Sequence, residues 1–149
     1  MTRLQLANGD DHPDAAHKLL LDAKALLKEE RSDGAAYLSG YVVECALKSV
    51  WLLETGLPAG NMMPWAKQGH NLTYLANQIS TLASFAGAKT ARYLGAATKS
   101  LSSTGIIAWT PNMRYRSAMM PLADSQAWCQ TADGVFHETI HQMRLDGVL

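Results

Sequence analysis

The sequence is short of charge, of cysteine and of uninterrupted apolar stretches. Charged residues make up 17% of its 149 positions, and 13 Lys+Arg balance 13 Asp+Glu to a formal net charge of zero. Hydrophobic residues reach 48%. High apolar content without net charge excludes a long disordered chain. On composition alone, the missing basic excess argues against a nucleic-acid binder. The two cysteines, Cys45 and Cys129, both sit in apolar helical segments. Two do not make a disulfide scaffold, so they are expected as free thiols in a reducing cytoplasm. The opening residues, MTRLQLANGDDHP, hold no apolar run able to serve as a signal-peptide core. The most apolar stretch, Ala35 to Leu53, is interrupted by Glu44 and Lys48, which argues against a membrane span. Sustained two-residue alternation is also missing, so no sheet is expected.

What is present reads as helices. Residues 1–12 are polar and are expected to form a flexible N-terminus. Residues 13–149 are expected to form one domain with a single core. Pro13 opens a first helix, with Asp14 in its first turn and Lys28 and Arg31 near its end, as the helix macrodipole favours. Ser32 is a candidate N-cap for a second helix that should stop at Thr55, before Gly56 and Pro58. That helix is apolar on most sides and so should be central. Asn71 should cap a third helix. Ala88 to Leu101 is expected as a fourth helical stretch, 102–124 as loop, and Ser125 to Met143 as the last helix. The fold class is all-α: an up-and-down bundle of four to five helices.

Tyr37, Tyr41, Glu44 and Lys48 are spaced i, i+4, i+7 and i+11, so they share one face of the central helix. The plainer possibility is an exposed edge carrying a Glu→Lys pair worth roughly 0.2–0.5 kcal/mol. The other is a polar seam facing a partner subunit or a cleft. The zero net charge also hides a pattern. Residues 55–123 carry Lys67, Lys89, Arg92, Lys99, Arg114 and Arg116 and no acidic residue, between two acidic ends. Trp65, Tyr93, Trp109 and Tyr115 accompany them. This basic middle either pairs with acidic helix faces across the bundle or forms a surface for an anionic ligand. In the second case Arg114 and Arg116 would hold phosphate, and Trp109 or Tyr115 would stack on a base.

The run from Arg31 to Lys48, with its A-Y-L-x-G-Y-x-x-E-x-x-L-K pattern, resembles the second helix of the HEPN domain. Gly69-His70-Asn71-Leu72 resembles that family's short G/K-H-x-L element, and Arg114-Tyr115 its R-Y element before the final helix. The three occur in the family's order. The resemblance implies a HEPN-like helical bundle, a homodimer, nucleotide or RNA binding, and a place in toxin–antitoxin pairs beside a nucleotidyltransferase-type protein. The positions that match the family's elements are Tyr41, Glu44, Lys48, His70, Arg114 and Tyr115, and with Arg116 of the basic middle Tyr41, Glu44, Lys48, Arg114 and Tyr115 are the expected ligand-binding or cleft residues. No cofactor is implied. Active HEPN ribonucleases carry an R-x4–6-H motif, and no Arg of this chain has a His at that spacing. The expectation is therefore a non-catalytic or weakly catalytic binding module. The alternative is a metal-independent endoribonuclease toxin with a substituted site, for which His70, Arg114 and Arg116 are the candidates.

His137-Glu138-Thr139-Ile140-His141 matches H-E-x-x-H, the zinc-peptidase spacing. At 100° per residue both histidines point away from the apolar face of Trp128, Ala132, Val135, Thr139 and Met143. The strands that wall such a cleft are not expected either. Peptidase activity is the remote alternative, and no metal is expected at His137 and His141.

Overall fold

The computed structural model describes residues 1–60 and 62–149. Its elements are α1 (His12–Lys28), α2 (Ser32–Thr55), α3 (Leu72–Ala83), α4 (Ala96–Lys99), α5 (Leu122–Phe136) and α6 (Gln142–Leu145). A π-helical turn, His137–His141, joins α5 to α6 without a break. No strand occurs among the described residues, and no described helix is long and apolar enough to cross a membrane. The fold is an all-α bundle.

Local chemistry sets the helix ends. The Asp11 side chain accepts a hydrogen bond from the Asp14 amide at the start of α1. Pro13 occupies the first turn, where an amide would lack a helical partner. At the other end, the Arg31 and Glu30 amides donate to the Leu26 and Leu27 carbonyls, with Glu30 in the left-handed region at φ 56°. This is the Schellman arrangement. It turns the chain tightly into α2. Asn71 accepts from the Tyr74 amide at 2.9 Å and caps α3.

α2 is the central helix and packs against α1, α3 and α5. Every residue from Val42 to Leu52 is buried, so its apolar faces are covered by its own chain.

Within residues 1–12, Leu4 and Leu6 are buried in the core cluster, and the Thr2 hydroxyl donates to Asp11 at 3.0 Å. Two leucines in a polar dozen form no periodic pattern, so their burial left no sequence signal. The stretch 88–101 is not one helix. It breaks into a 3₁₀ turn (Ala91–Tyr93), the single turn α4 and a second 3₁₀ turn (Leu101–Ser103). Gly95 interrupts it, and carboxylates from other segments cap the pieces. Glu54 accepts from the Lys89 and Thr90 amides and from the Thr90 hydroxyl. Glu138 accepts from the Ala97 and Thr98 amides at 2.7 and 2.9 Å and from the Thr98 hydroxyl.

Candidate functional site

The polar residues of α2 line a cleft rather than an exposed edge. Glu44 and Lys48 are only 3% and 6% exposed. Lys48 Nζ lies 2.6 Å from Glu44 Oε1, and the second carboxylate oxygen, Oε2, meets His70 Nδ1 at 2.8 Å. The exposed-edge expectation thus fails, because groups distant in sequence roof the pair. The Trp65 ring lies under the Lys48 ammonium at 4.9 Å, and His12 packs edge-on against Trp65.

Taking two charges out of water costs several kcal/mol per ion, so an isolated pair here would be a poor stabiliser. Two contacts offset that cost. His70 supplies a second hydrogen bond to the carboxylate, and the indole face of Trp65 supplies a cation–π contact for the ammonium. His70 comes from the loop that leads to the Asn71 cap, so the α3 N-terminus fixes its position. Its side chain remains 59% exposed. With Nδ1 directed at Glu44, Nε2 has no protein partner among the described residues.

One and two turns toward the N-terminus of α2 stand Tyr41 and Tyr37, both half-buried. Their hydroxyls are 3.2 Å apart. Burial, then the hydrogen bond with Tyr37, push the Tyr41 hydroxyl well above the usual tyrosine range, so it stays protonated at physiological pH. Arg114 Nη1 donates to the Tyr37 hydroxyl at 3.4 Å, and its guanidinium lies over the Tyr115 ring at 4.8 Å. The result is one row, from Lys48 through Glu44 and His70 to Tyr41, Tyr37 and Arg114. It begins buried and ends exposed. Arg116 lies near its exposed end, beside the cavity that Tyr37 and Arg114 also line. Thus all the residues singled out on α2, on the His70 element and on the R-Y element fall in one region.

Trp109 supports the row and does not offer a stacking face. It is 1% exposed, and its Nε1 donates to the Tyr37 carbonyl at 3.0 Å. Its ring lies edge-on to Tyr41, at 4.7 Å between centroids. Gly40 makes this possible, since a Cβ there would fall 2.1 Å from Trp109 Cδ1. Trp65 and Tyr93 are likewise buried, whereas Tyr115, next to Arg114, is 74% exposed.

His12 is a member of the site that sequence reasoning missed. Its Nε2 is buried without a hydrogen-bond partner. Burial, then the nearby charge of Lys48, lower its pKa to about 4, so the ring is neutral at pH 7. A histidine at the start of an ordinary helix gives no sequence signal of this role.

Of the basic middle, only Arg92 makes an ion pair among the described residues, with Asp146 at 3.0 Å. Lys67, Lys89, Lys99, Arg114 and Arg116 make none, so pairing across the bundle does not account for the segregated charge.

The H-E-x-x-H segment lies elsewhere, on the π-helical turn. His137 and His141 are exposed, with ring centroids 5.2 Å apart. Both oxygens of Glu138 are engaged by the first turn of α4. Gly95 leaves the space, as a Cβ there would meet the Glu138 carboxyl at 2.5 Å. Glu138 is thus held as a structural cap. No group of three or more His, Cys, Asp or Glu able to hold a metal occurs among the described residues. No family model, curated protein or solved structure matches the chain.

Proposed function

We propose that the chain is a HEPN-type domain that binds RNA or a nucleotide along the row from His70 to Arg114. The observation that carries this reading is the state of Arg114 and Arg116. Arg114 donates to the Tyr37 hydroxyl and Arg116 lines the adjoining cavity, and neither has a carboxylate partner among the described residues. Guanidinium forks in such a setting suit phosphate. Glu44, the one carboxylate of the row, is met by Lys48 and His70 and so offers little repulsion to an anion. Self-association as a homodimer and pairing with a nucleotidyltransferase-type protein belong to the same proposal and rest on the family resemblance. Binding of labelled single-stranded RNA by Arg114→Ala/Arg116→Ala tests it. Affinity should drop about tenfold or more, given that hydrogen bonds to charged groups are worth about 1.5–3 kcal/mol each. Undiminished binding would remove the reading.

A second reading, metal-independent endoribonuclease, is favoured by the Glu44–His70 contact. A buried carboxylate that accepts from Nδ1–H fixes the tautomer and leaves Nε2 as a proton acceptor, as general base catalysis requires. Incubation of RNA with the chain in chelator-containing buffer tests this. Cleavage lost in His70→Gln supports the reading. Absence of cleavage by the wild-type chain leaves the binding module alone.

A further inference from the structure

A cavity of about 410 Å³ opens between the first turns of α2 and the segment Met113–Pro121. It adjoins the polar row, because Tyr37 and Arg114 belong to both. Its volume falls in the range of about 300–1,000 Å³ typical of small-molecule pockets. Met113, Met119 and Met120 supply much of its wall, with Tyr37 on the α2 side. Methionine is flexible and polarisable and packs well against flat aromatic rings.

The polar groups of the cavity are of two kinds. Arg114 and Arg116 are its cations, and neither is ion-paired among the described residues. Asp33 and Asp124 are its anions. Asp33 Oδ1 accepts from the Met120 amide at 2.6 Å, which fastens the methionine segment to α2. Asp33 Oδ2 and the Asp124 carboxylate have no hydrogen-bond partner among the described residues. The cavity therefore brings together methionine side chains that can pack on a ring, two guanidinium groups that can meet an anion and carboxylate oxygens that can accept from a donor edge. A fatty or purely apolar ligand would leave the four charged groups unused, and a bare phosphate would leave the methionines uncovered.

We infer that this cavity holds a single nucleotide unit whose base carries an amino group. The base lies among the methionines beside Tyr37, the phosphate meets Arg114 and Arg116, and Asp33 or Asp124 accepts from the base's amino edge. This rests on the reading of the row as an RNA or nucleotide site and adds where the base sits and which bases fit. The unit comes either from a free mononucleotide or from an RNA chain.

Methyl NMR of the full chain carrying 13C-methionine tests the inference, with the Met113, Met119 and Met120 signals assigned by single substitution. The probes are CMP, UMP and short cytidine and uridine oligoribonucleotides. The expected result is movement of these three signals, with the cytidine ligand about tenfold tighter than its uridine counterpart, as a base-edge contact discriminates on that scale. Movement with CMP assigns the free nucleotide. Movement with the oligonucleotide alone assigns an RNA unit. The second arm is Met119→Glu, at a side chain 76% exposed where a fold change is not expected. It should abolish the preference for cytidine. RNA binding that moves none of the three methyls, or that Met119→Glu leaves unchanged, overturns the base pocket while the RNA reading stands. Absence of any binding by the wild-type chain overturns both.

Discussion

Lys48 and Glu44 show how far a residue's meaning depends on what covers it. On a bare helix the pair would be a minor surface contact, yet here both charges lie beneath Trp65, His12 and His70. Removing one partner leaves an uncompensated buried charge, whereas removing both leaves none. Lys48→Met is therefore expected to cost about 3–5 kcal/mol in urea unfolding, and Glu44→Leu/Lys48→Met to recover most of that loss. Equal destabilisation by the single and double variants would argue against the buried pair. His12 adds a pH signature. The unfolded chain takes up a proton as pH falls through 6.5, while the folded chain resists until about 4. Stability held at neutral pH is thus lost across that window on acidification. Between pH 7 and pH 5 the His12 contribution is about 2 kcal/mol. His12→Phe, which keeps a ring against Trp65, should lose less stability over that interval by about the same amount.

At the scale of elements, the boundaries set by local chemistry were legible and those set by distant partners were not. Pro13, Thr55 before Gly56, and Asn71 marked helix ends because caps and breakers act within a turn. The stretch 88–101 has helical composition but needs Glu54 and Glu138, from α2 and the π-helical turn, to satisfy its amides. The polar stripe of α2 was legible as a face, since spacing alone defines a face. Its burial was not, because Trp65 and His12 reach it from other segments. Trp109 was misread as a stacking platform for the same reason: its fit over Gly40 is a contact between residues far apart in sequence. Glu138→Gln is expected to lower stability by about 1–3 kcal/mol, as charge-assisted bonds to two amides and a hydroxyl weaken. A metal-dependent peptidase role would instead require activity lost on chelation.

At the scale of the whole molecule, the balanced composition dissolves into segregated surfaces. The acidic ends of the chain find cationic partners across the bundle, in Lys24–Asp133 at 2.6 Å and Arg144–Asp14 at 3.1 Å. Most of the basic middle finds none among the described residues. An unpaired cationic stretch beside a polar cleft suits an anionic ligand better than it suits stability. Zero net charge is thus no argument against RNA, because a ligand meets the local field and not the sum. The salt dependence of RNA binding tests this most directly. Each phosphate neutralised on a single strand releases its condensed counterions and contributes a slope of about −0.7 in log affinity against log salt, so two arginine contacts contribute about −1.4. The wild-type chain should show at least that slope, and Arg114→Ala/Arg116→Ala should flatten it by about that amount. Salt-independent binding, or the same slope in both proteins, would contradict a phosphate site at these arginines.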